Sequence, residues 1–335
     1  MNKIEELSNV TPEQFHNEIL PKGKPVVMRG LVNEWPMVKA ARAGDRVFCD
    51  YLKQFDRGLE LDTMTGPIST NGRIFYNQDL SGLNSRMGKS RLATSLDFIL
   101  EHADENPGPL LAMQSVVVPH YLPGLQLENS LSLLPEDVHP RIWIGGKVTV
   151  AAHYDTAENI ACCVAGKRHF TLFPPNQIAN LYVGPLELTP AGATISMVDL
   201  VNPDFERYPK FKQALEAAEE TILEPGDAIH IPYLWWHNVQ SLGKINALMN
   251  YWWGEPEEQR VDSRNALYHA MMTIRFLPER YREAWHEMFK HYVFETNGKP
   301  GEHLPEEKRG ILSDIKPESS IIKMRAALAK ALIRN

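Results

Sequence analysis

The sequence predicts a mainly β fold with added helices, built around a double-stranded β-helix (jelly-roll) barrel. Between residues 140 and 254, short apolar segments recur with Gly, Pro or Asn turns between them, as in an antiparallel barrel. Before this stretch, helix-like and strand-like segments alternate, which predicts N-terminal α/β elements. After Gly254 the apolar residues recur at helical spacing, which predicts C-terminal helices.

The N-terminal elements begin with a short helix at 11–20. Thr11-Pro12-Glu13-Gln14 has the spacing of a capping box, with proline at the first helical position. Asn71-Gly72 predicts the type I′ turn of a β-hairpin. The other segments predicted here are a strand at 26–30, helices at 45–57 and 94–104, and a strand at 110–118.

We expect a first domain at 1–255, with its barrel core at about 110–255. The segment 175–218 is long and carries prolines, so we expect it to cross outside the barrel. The eight strands predicted for the barrel are Trp143–Ile144, Thr149–His153, Ile160–Val164, His169–Phe173, Glu219–Leu223, Ala228–Ile231, Asn238–Ser241 and Ala247–Trp253.

A helical region is expected at 256–335. Its apolar stripes are consistent with a homodimer formed through these helices, and equally with packing inside one chain. The stripes are Ala266, Leu267, Ala270, Met271 and Ile274, then Tyr281, Trp285, Met288, Phe289 and Tyr292, then Ile321, Met324, Leu328 and Leu332.

Composition narrows the possible partners and location. The chain has 335 residues and a formal net charge of -7, with no polybasic segment, so there is no direct signal for nucleic-acid binding. The first residues do not indicate a signal peptide and no run of 18 apolar residues occurs, so we expect a cytoplasmic protein without a membrane span. Its three cysteines are expected to be reduced.

A metal site is predicted at His153, Asp155 and His237. Residues i and i+2 of a strand point to the same side, so His153 and Asp155 can chelate one ion. His237 follows Pro232 and two tryptophans on another predicted strand. Two imidazoles and one carboxylate can hold one face of a ferrous ion and leave the other face open.

Several motifs extend this pattern. They are Ala152-His153-Tyr154-Asp155, Asn159, Gly166-Lys167-Arg168-His169-Phe170, Glu224-Pro225-Gly226-Asp227, Trp235-Trp236-His237 and Asn250-Tyr251-Trp252. Together they resemble the JmjC-type cupin oxygenases, in particular the group of the asparaginyl hydroxylase that inhibits hypoxia-inducible factor and its bacterial relatives. The resemblance covers roughly residues 20–255.

The resemblance implies a dioxygenase that uses Fe(II) and the cosubstrate 2-oxoglutarate, with succinate and CO2 as coproducts. His153, Asp155 and His237 would be its iron ligands and catalytic centre. Arg168 would bind the far carboxylate of 2-oxoglutarate, since arginine grips a carboxylate through two parallel hydrogen bonds. The other cosubstrate-pocket residues implied are Asn159, Asn250 and Trp252.

The substrate is not identified by the sequence and would be a protein side chain or a small molecule. Gln114 is expected near the mouth of the pocket. Tyr76 and Asn77, just after the predicted hairpin, are further substrate-contact candidates.

Two positions depart from the hydroxylase pattern, because Val150 and Ala112 stand where that enzyme has hydroxyl groups for the far carboxylate. This departure motivates an alternative: a non-catalytic cupin that binds a ligand or partner and retains a metal site. A third interpretation is a cupin enzyme that uses another divalent metal.

Overall fold

The structure, a computed structural model, describes residues 1–254, 262–314 and 318–333. Its strands are β1 Asn2–Lys3, β2 Glu5–Ser8, β3 Val26–Arg29, β4 Glu60–Gly66, β5 Arg73–Ile74, β6 Arg86–Arg91, β7 Leu110–Val117, β8 Arg141–Gly145, β9 Thr149–Tyr154, β10 Glu158–Ala165, β11 Arg168–Phe173, β12 Glu219–Leu223, β13 Ala228–Ile231, β14 Trp236–Ser241 and β15 Asn246–Trp253.

The α-helices are α1 Pro12–Gln14, α2 Pro36–Ala43, α3 Asp45–Lys53, α4 Leu92–Glu101, α5 Val118–Tyr121, α6 Leu125–Glu128, α7 Phe211–Ala217, α8 Ser263–Thr273, α9 Glu279–Tyr292 and α10 Glu318–Ile333. Helix α1 begins as predicted, with the Thr11 hydroxyl accepting a hydrogen bond from the Gln14 N–H at 3.2 Å.

Contacts divide the chain into two compact units, Met1–Gly254 and Glu255–Asn335. The first unit contains two large mixed sheets. One has six strands in the order β1-β12-β11-β14-β9-β5, and the other has nine in the order β2-β3-β13-β10-β15-β8-β7-β4-β6.

The two sheets enclose an apolar core, because side chains from both belong to one buried cluster. Strand β10 shows how its alternating residues serve two sides. Ala161 and Cys163 pack with Phe170 and Leu172 of the other sheet. Ile160, Cys162 and Val164, one residue out of phase, join the cluster formed with helices α2, α3 and α4. The nine-stranded sheet is therefore covered by helices on its outer face, and its inner face helps to enclose the barrel.

The jelly-roll prediction is confirmed, and each of the eight predicted barrel strands corresponds to a strand between β8 and β15. The prediction of a β-hairpin at Asn71-Gly72 is wrong. Both residues do have positive φ, 49° and 72°, as a type I′ turn requires. However, the strand that follows, β5, pairs in parallel with β9 rather than with β4.

The second unit contains helices α8 to α10. Several of its large apolar side chains are exposed, including Leu267, Phe276 and Trp285. Homodimer formation through these helices stays a prediction. Among the described residues, no helix is both long enough and apolar enough to span a membrane.

Candidate metal and cosubstrate site

Strand pairing brings the three predicted metal ligands together. His153 near the end of β9 and His237 near the start of β14 are direct partners in the antiparallel ladder. Asp155 follows β9, and its Oδ2 lies 3.8 Å from Nε2 of His237. One ligand atom from each residue lies within 4.8 Å of the other two, so these residues can share one ion.

Both imidazole rings are held through Nδ1, which leaves Nε2 to face the metal position. Nδ1–H of His153 donates to the Ala151 carbonyl at 2.9 Å, and Nδ1–H of His237 donates to the Trp235 carbonyl at 3.1 Å. Because a carbonyl can only accept, these bonds fix the tautomer that leaves Nε2 as an acceptor for a metal. Burial, with His153 nearby, lowers the pKa of His237 to about 4, so its ring is neutral at physiological pH.

Asp155 is held as an oriented carboxylate. Trp252 Nε1–H donates to its Oδ2 at 2.9 Å, and Asn159 Nδ2–H donates to the same oxygen at 3.4 Å. Burial opposes ionisation, but the surrounding groups, including these two donors, outweigh it and lower the pKa of Asp155. Trp252 and Asn159 therefore contact a candidate metal ligand directly.

Asn250 completes a polar chain from the metal cluster. Its Nδ2–H donates to Asn159 Oδ1 at 3.0 Å, and Asn159 in turn donates to Asp155. Two successive hydrogen bonds therefore connect Asn250 to Asp155. The Asn250 Oδ1 is buried and accepts no hydrogen bond from any described residue. A buried acceptor without a partner is costly, and it is a natural contact for a bound ligand or water.

Arg168 is a buried cation without a counterion. Its side chain is only 6% exposed and donates to the Ser241 hydroxyl, while its Nε–H has no partner among the described residues. Burial lowers the pKa of Arg168 to about 10, which still leaves it charged at neutral pH. No carboxylate in the described part of the chain forms an ion pair with it. Such a guanidinium suits an anionic ligand, since an isolated buried charge is strongly unfavourable.

The distance between Arg168 and the metal cluster follows from the register. Arg168 is the direct partner of Ser241, and Ser241 lies four residues after His237 on β14. At about 3.3 Å per residue, these two positions are roughly 13 Å apart along the barrel. Phe170 and Val239 pair between them and line the cavity wall. A dicarboxylate could extend along this wall from the metal towards the guanidinium.

The structure shows what replaces the two hydroxyls expected from the hydroxylase pattern. Val150 lines the cavity with its apolar side chain, and Ala112 packs in an apolar cluster with Met64 and Ile74. The hydroxyl beside Arg168 comes from Ser241 instead. Sequence reasoning missed Ser241. Its in-phase spacing with His237 on one strand could have indicated it.

One cavity of about 600 Å³ connects these groups. Its walls include all seven predicted metal and cosubstrate residues: His153, Asp155, His237, Arg168, Asn159, Asn250 and Trp252. Among the predicted substrate residues, Gln114 also lines it.

Tyr76 and Asn77 lie elsewhere and are not part of the described cavity wall. Tyr76 is buried, with its hydroxyl donating to the Leu188 carbonyl at 2.9 Å. Asn77 bonds within its own loop, to Ser81 and Gly82. The structure therefore does not bring these two residues to the site, because local packing uses their polar atoms.

Comparison with known proteins shows which family this chain belongs to. The profile of a family described as "Cupin-like domain" matches residues 12–259. The chain is 27% identical to JmjC domain-containing protein D of Dictyostelium discoideum, over 69% of this chain and 52% of that protein. It is 24% identical to lysine-specific demethylase JMJ31 of Arabidopsis thaliana, over 73% and 48% of the two chains. It is 25% identical to the human bifunctional peptidase and (3S)-lysyl hydroxylase JMJD7, over 72% and 81%. The chain thus spans about half the length of the first two relatives.

Proposed function

Because this chain belongs to the cupin-like domain family, and its relatives include JmjC proteins, we propose that it is an Fe(II)- and 2-oxoglutarate-dependent oxygenase that hydroxylates its substrate. One observation carries the proposal. A single cavity contains both a His-Asp-His cluster and a buried guanidinium that has no counterion among the residues that the structure describes. The cluster suits a ferrous ion, and the guanidinium suits the far end of a dicarboxylate.

The residues have separate roles in this proposal. His153, Asp155 and His237 hold the metal through two imidazole nitrogens and one carboxylate oxygen. Trp252 and Asn159 orient Asp155 and keep it ionised through their N–H groups. When bound, Fe(II) with 2-oxoglutarate and oxygen supplies oxidation of a substrate C–H bond, and 2-oxoglutarate leaves as succinate and CO2.

The remaining wall residues bind the cosubstrate and exclude water. Arg168 binds its far carboxylate, with Ser241 fixing the guanidinium from one side. Phe170, Val239 and Ile231 form an apolar surface along the cavity. An apolar, enclosed site strengthens the attraction between the guanidinium and the carboxylate, because water screens it less.

Hydroxylation is the outcome that we propose. Removal of an N-methyl group would begin with the same oxidation of a C–H bond, so the residues above would serve either reaction. The difference lies in the substrate, which would be a protein side chain or a small molecule.

Thermal unfolding and succinate formation test the function together. The protein is prepared without oxygen and incubated with Fe(II) plus 2-oxoglutarate, glutarate or pyruvate. Glutarate lacks the 2-oxo group, and pyruvate lacks the far carboxylate. We expect the largest Fe(II)-dependent increase in melting temperature with 2-oxoglutarate, and slow succinate formation when oxygen is admitted.

Stabilisation by 2-oxoglutarate with no succinate, even with a broad set of candidate substrates, would favour the non-catalytic cupin. The absence of any Fe(II)-dependent stabilisation by 2-oxoglutarate would contradict the proposed cosubstrate.

A further inference from the structure

The mouth of the cavity contains a second group of hydrogen-bond donors, on strands β7 and β8. Arg141 of β8 is the direct ladder partner of Asn250, so both side chains project from the same face of the sheet. That face is the cavity side, because the alternate residues Ile142 and Ile144 belong to the outer, helix-covered cluster. Arg141 itself lines the cavity.

Arg141 is the charged side chain of the cavity wall for which neither the proposed function nor an ion pair accounts. The charged Asp and Arg side chains of the wall are Asp62, Arg141, Asp155 and Arg168. Asp155 and Arg168 serve the metal and the cosubstrate, and Asp62 forms an ion pair with Lys89 at 2.7 Å. Arg141 forms no ion pair with any residue that the structure describes. Its guanidinium donates instead to the neutral Ser115 hydroxyl at 3.0 Å.

The backbone of β7 is distorted at Ser115, the residue whose hydroxyl contacts Arg141. The ladder between β7 and β8 shifts register between Met113 and Val116, which marks a β-bulge. Within it, Ser115 adopts a left-handed conformation with φ of 53°, which is unusual for a residue with a Cβ. The bulge places two consecutive polar side chains, Gln114 and Ser115, on the cavity wall. In a regular strand they would point to opposite faces. Strain of this kind is concentrated at functional sites.

The three side chains supply donors and no negative charge. Within the described ranges, Gln114 Nε2–H donates only to the Met64 sulfur at 3.6 Å, a weak acceptor that a ligand oxygen could replace. The Ser115 hydroxyl, which accepts from Arg141, still has its own proton to donate. Together with the Arg141 guanidinium, these groups match the oxygens of a carboxylate.

We propose that Arg141, Ser115 and Gln114 form a carboxylate-binding subsite, and that the substrate of this oxygenase carries a carboxylate. The inference rests on the proposed function, because it assigns the substrate class of the same site. Strand β8 lies two strands from β10, or roughly 10 Å across the sheet. Arg141 is the ladder partner of Asn250, and hydrogen bonds run from Asn250 through Asn159 to Asp155. A carboxylate held by Arg141 therefore lies in the same cavity as the metal cluster, on the side of Asn250.

Equilibrium binding of matched acid and amide probes tests this inference. The protein is saturated with Fe(II) and 2-oxoglutarate without oxygen, so that Arg168 is already occupied. One arm compares N-acetyl-aspartate N-methylamide with N-acetyl-asparagine N-methylamide, and the capped glutamate with the capped glutamine. The other arm compares benzoate with benzamide. The first arm represents an acidic peptide side chain, and the second represents a free organic acid.

We expect at least one acid to bind more tightly than its amide partner. Arg141→Gln keeps a long polar side chain without the charge, and it should reduce this preference by about 10- to 100-fold. Arg46→Gln removes an equally exposed cation from helix α3, away from the cavity, and should leave the preference unchanged.

Two results would overturn the subsite. One is that no acid binds better than its amide to the unmodified protein. The other is that Arg141→Gln keeps the full preference. The thermal shift that 2-oxoglutarate gives in the unmodified protein is recorded in parallel. A failure of the proposed function appears in that shift, whereas a failure of the subsite appears in the ratio of acid to amide binding.

Discussion

Replacing Arg168 by methionine separates cosubstrate binding from both iron binding and folding. Methionine preserves much of the buried volume but removes the charge and all of the donors. We expect the KM for 2-oxoglutarate to rise, while Fe(II) affinity stays the same because His153, Asp155 and His237 are untouched. A charge-assisted hydrogen bond contributes about 1.5–3 kcal/mol. A loss of about 3 kcal/mol corresponds to roughly a 100-fold increase in KM.

The same substitution should not weaken the fold. Arg168 is 6% exposed and has no ionic partner among the described residues, so burying its charge costs folding free energy in the absence of ligand. Replacing even a buried ion pair by apolar side chains is often neutral or stabilising by about 1–4 kcal/mol, and Arg168 has no ionic partner in the described part of the chain whose attraction would be lost. We therefore expect the unfolding free energy of Arg168→Met to equal or exceed that of the unmodified protein. Its stabilisation by 2-oxoglutarate should be nearly lost.

Lys167→Ala is the matched control. Lys167 is the neighbouring cation on the chain, but its ammonium group is paired with Glu224 at 2.7 Å and is more than half exposed. This variant loses the same formal charge and should retain the KM for 2-oxoglutarate. The assay measures succinate formation against 2-oxoglutarate concentration, together with anaerobic Fe(II) titration and denaturant unfolding. An unchanged KM in Arg168→Met, or a loss of iron binding, would refute the assignment.

Three further predictions concern Trp252, Asp227 and the three cysteines. Trp252→Phe removes the N–H group that donates to Asp155, so the iron affinity should fall by about 10-fold or more. An anaerobic metal titration measures this affinity, and an unchanged value would contradict the role of Trp252. Asp227→Asn removes the charge that pairs with Arg29 at 2.6 Å in a largely buried site, while Arg29 keeps its ion pair with Glu6. Denaturant unfolding should therefore show a loss of about 1–2 kcal/mol, and a loss below about 0.5 kcal/mol would count against this role. All three cysteines are buried, and burial raises the pKa of each thiol. A thiol reagent should therefore label no cysteine in the native protein and all three after denaturation.

Local sequence was sufficient for the barrel strands, because each combines alternating or apolar residues with a turn on either side. It was not sufficient for pairing. At Asn71-Gly72 the positive φ angles are local properties of Asn and Gly, and they were predicted correctly. The pairing of β5 with β9 instead depends on residues more than 70 positions away, which no local pattern specifies. Tyr76 was misplaced for the same reason, since its hydroxyl partner Leu188 comes from a distant segment.

The residues of the candidate metal cluster were easier to bring together from the sequence than the residues around them. His153 and Asp155 are two positions apart, so one local rule brings them together, and the motif around His237 suggested the third ligand. The partner of Arg168 could not be found in this way. Ser241 becomes its neighbour only through the register between β11 and β14. A one-residue shift in that register would direct either side chain to the opposite face.

The pair Lys167 and Arg168 shows why the register has functional consequences. The two cations are adjacent in sequence and have the same formal charge, but the strand pairing gives them opposite environments. Lys167 pairs with Glu224 near solvent, whereas Arg168 faces the barrel interior beside Ser241. A buried cation without a counterion lowers the stability of the ligand-free protein, and an anion bound to it would restore that stability. In the proposed function, cosubstrate binding and folding stability would be linked through Arg168, so the stabilisation by 2-oxoglutarate should depend on this one side chain.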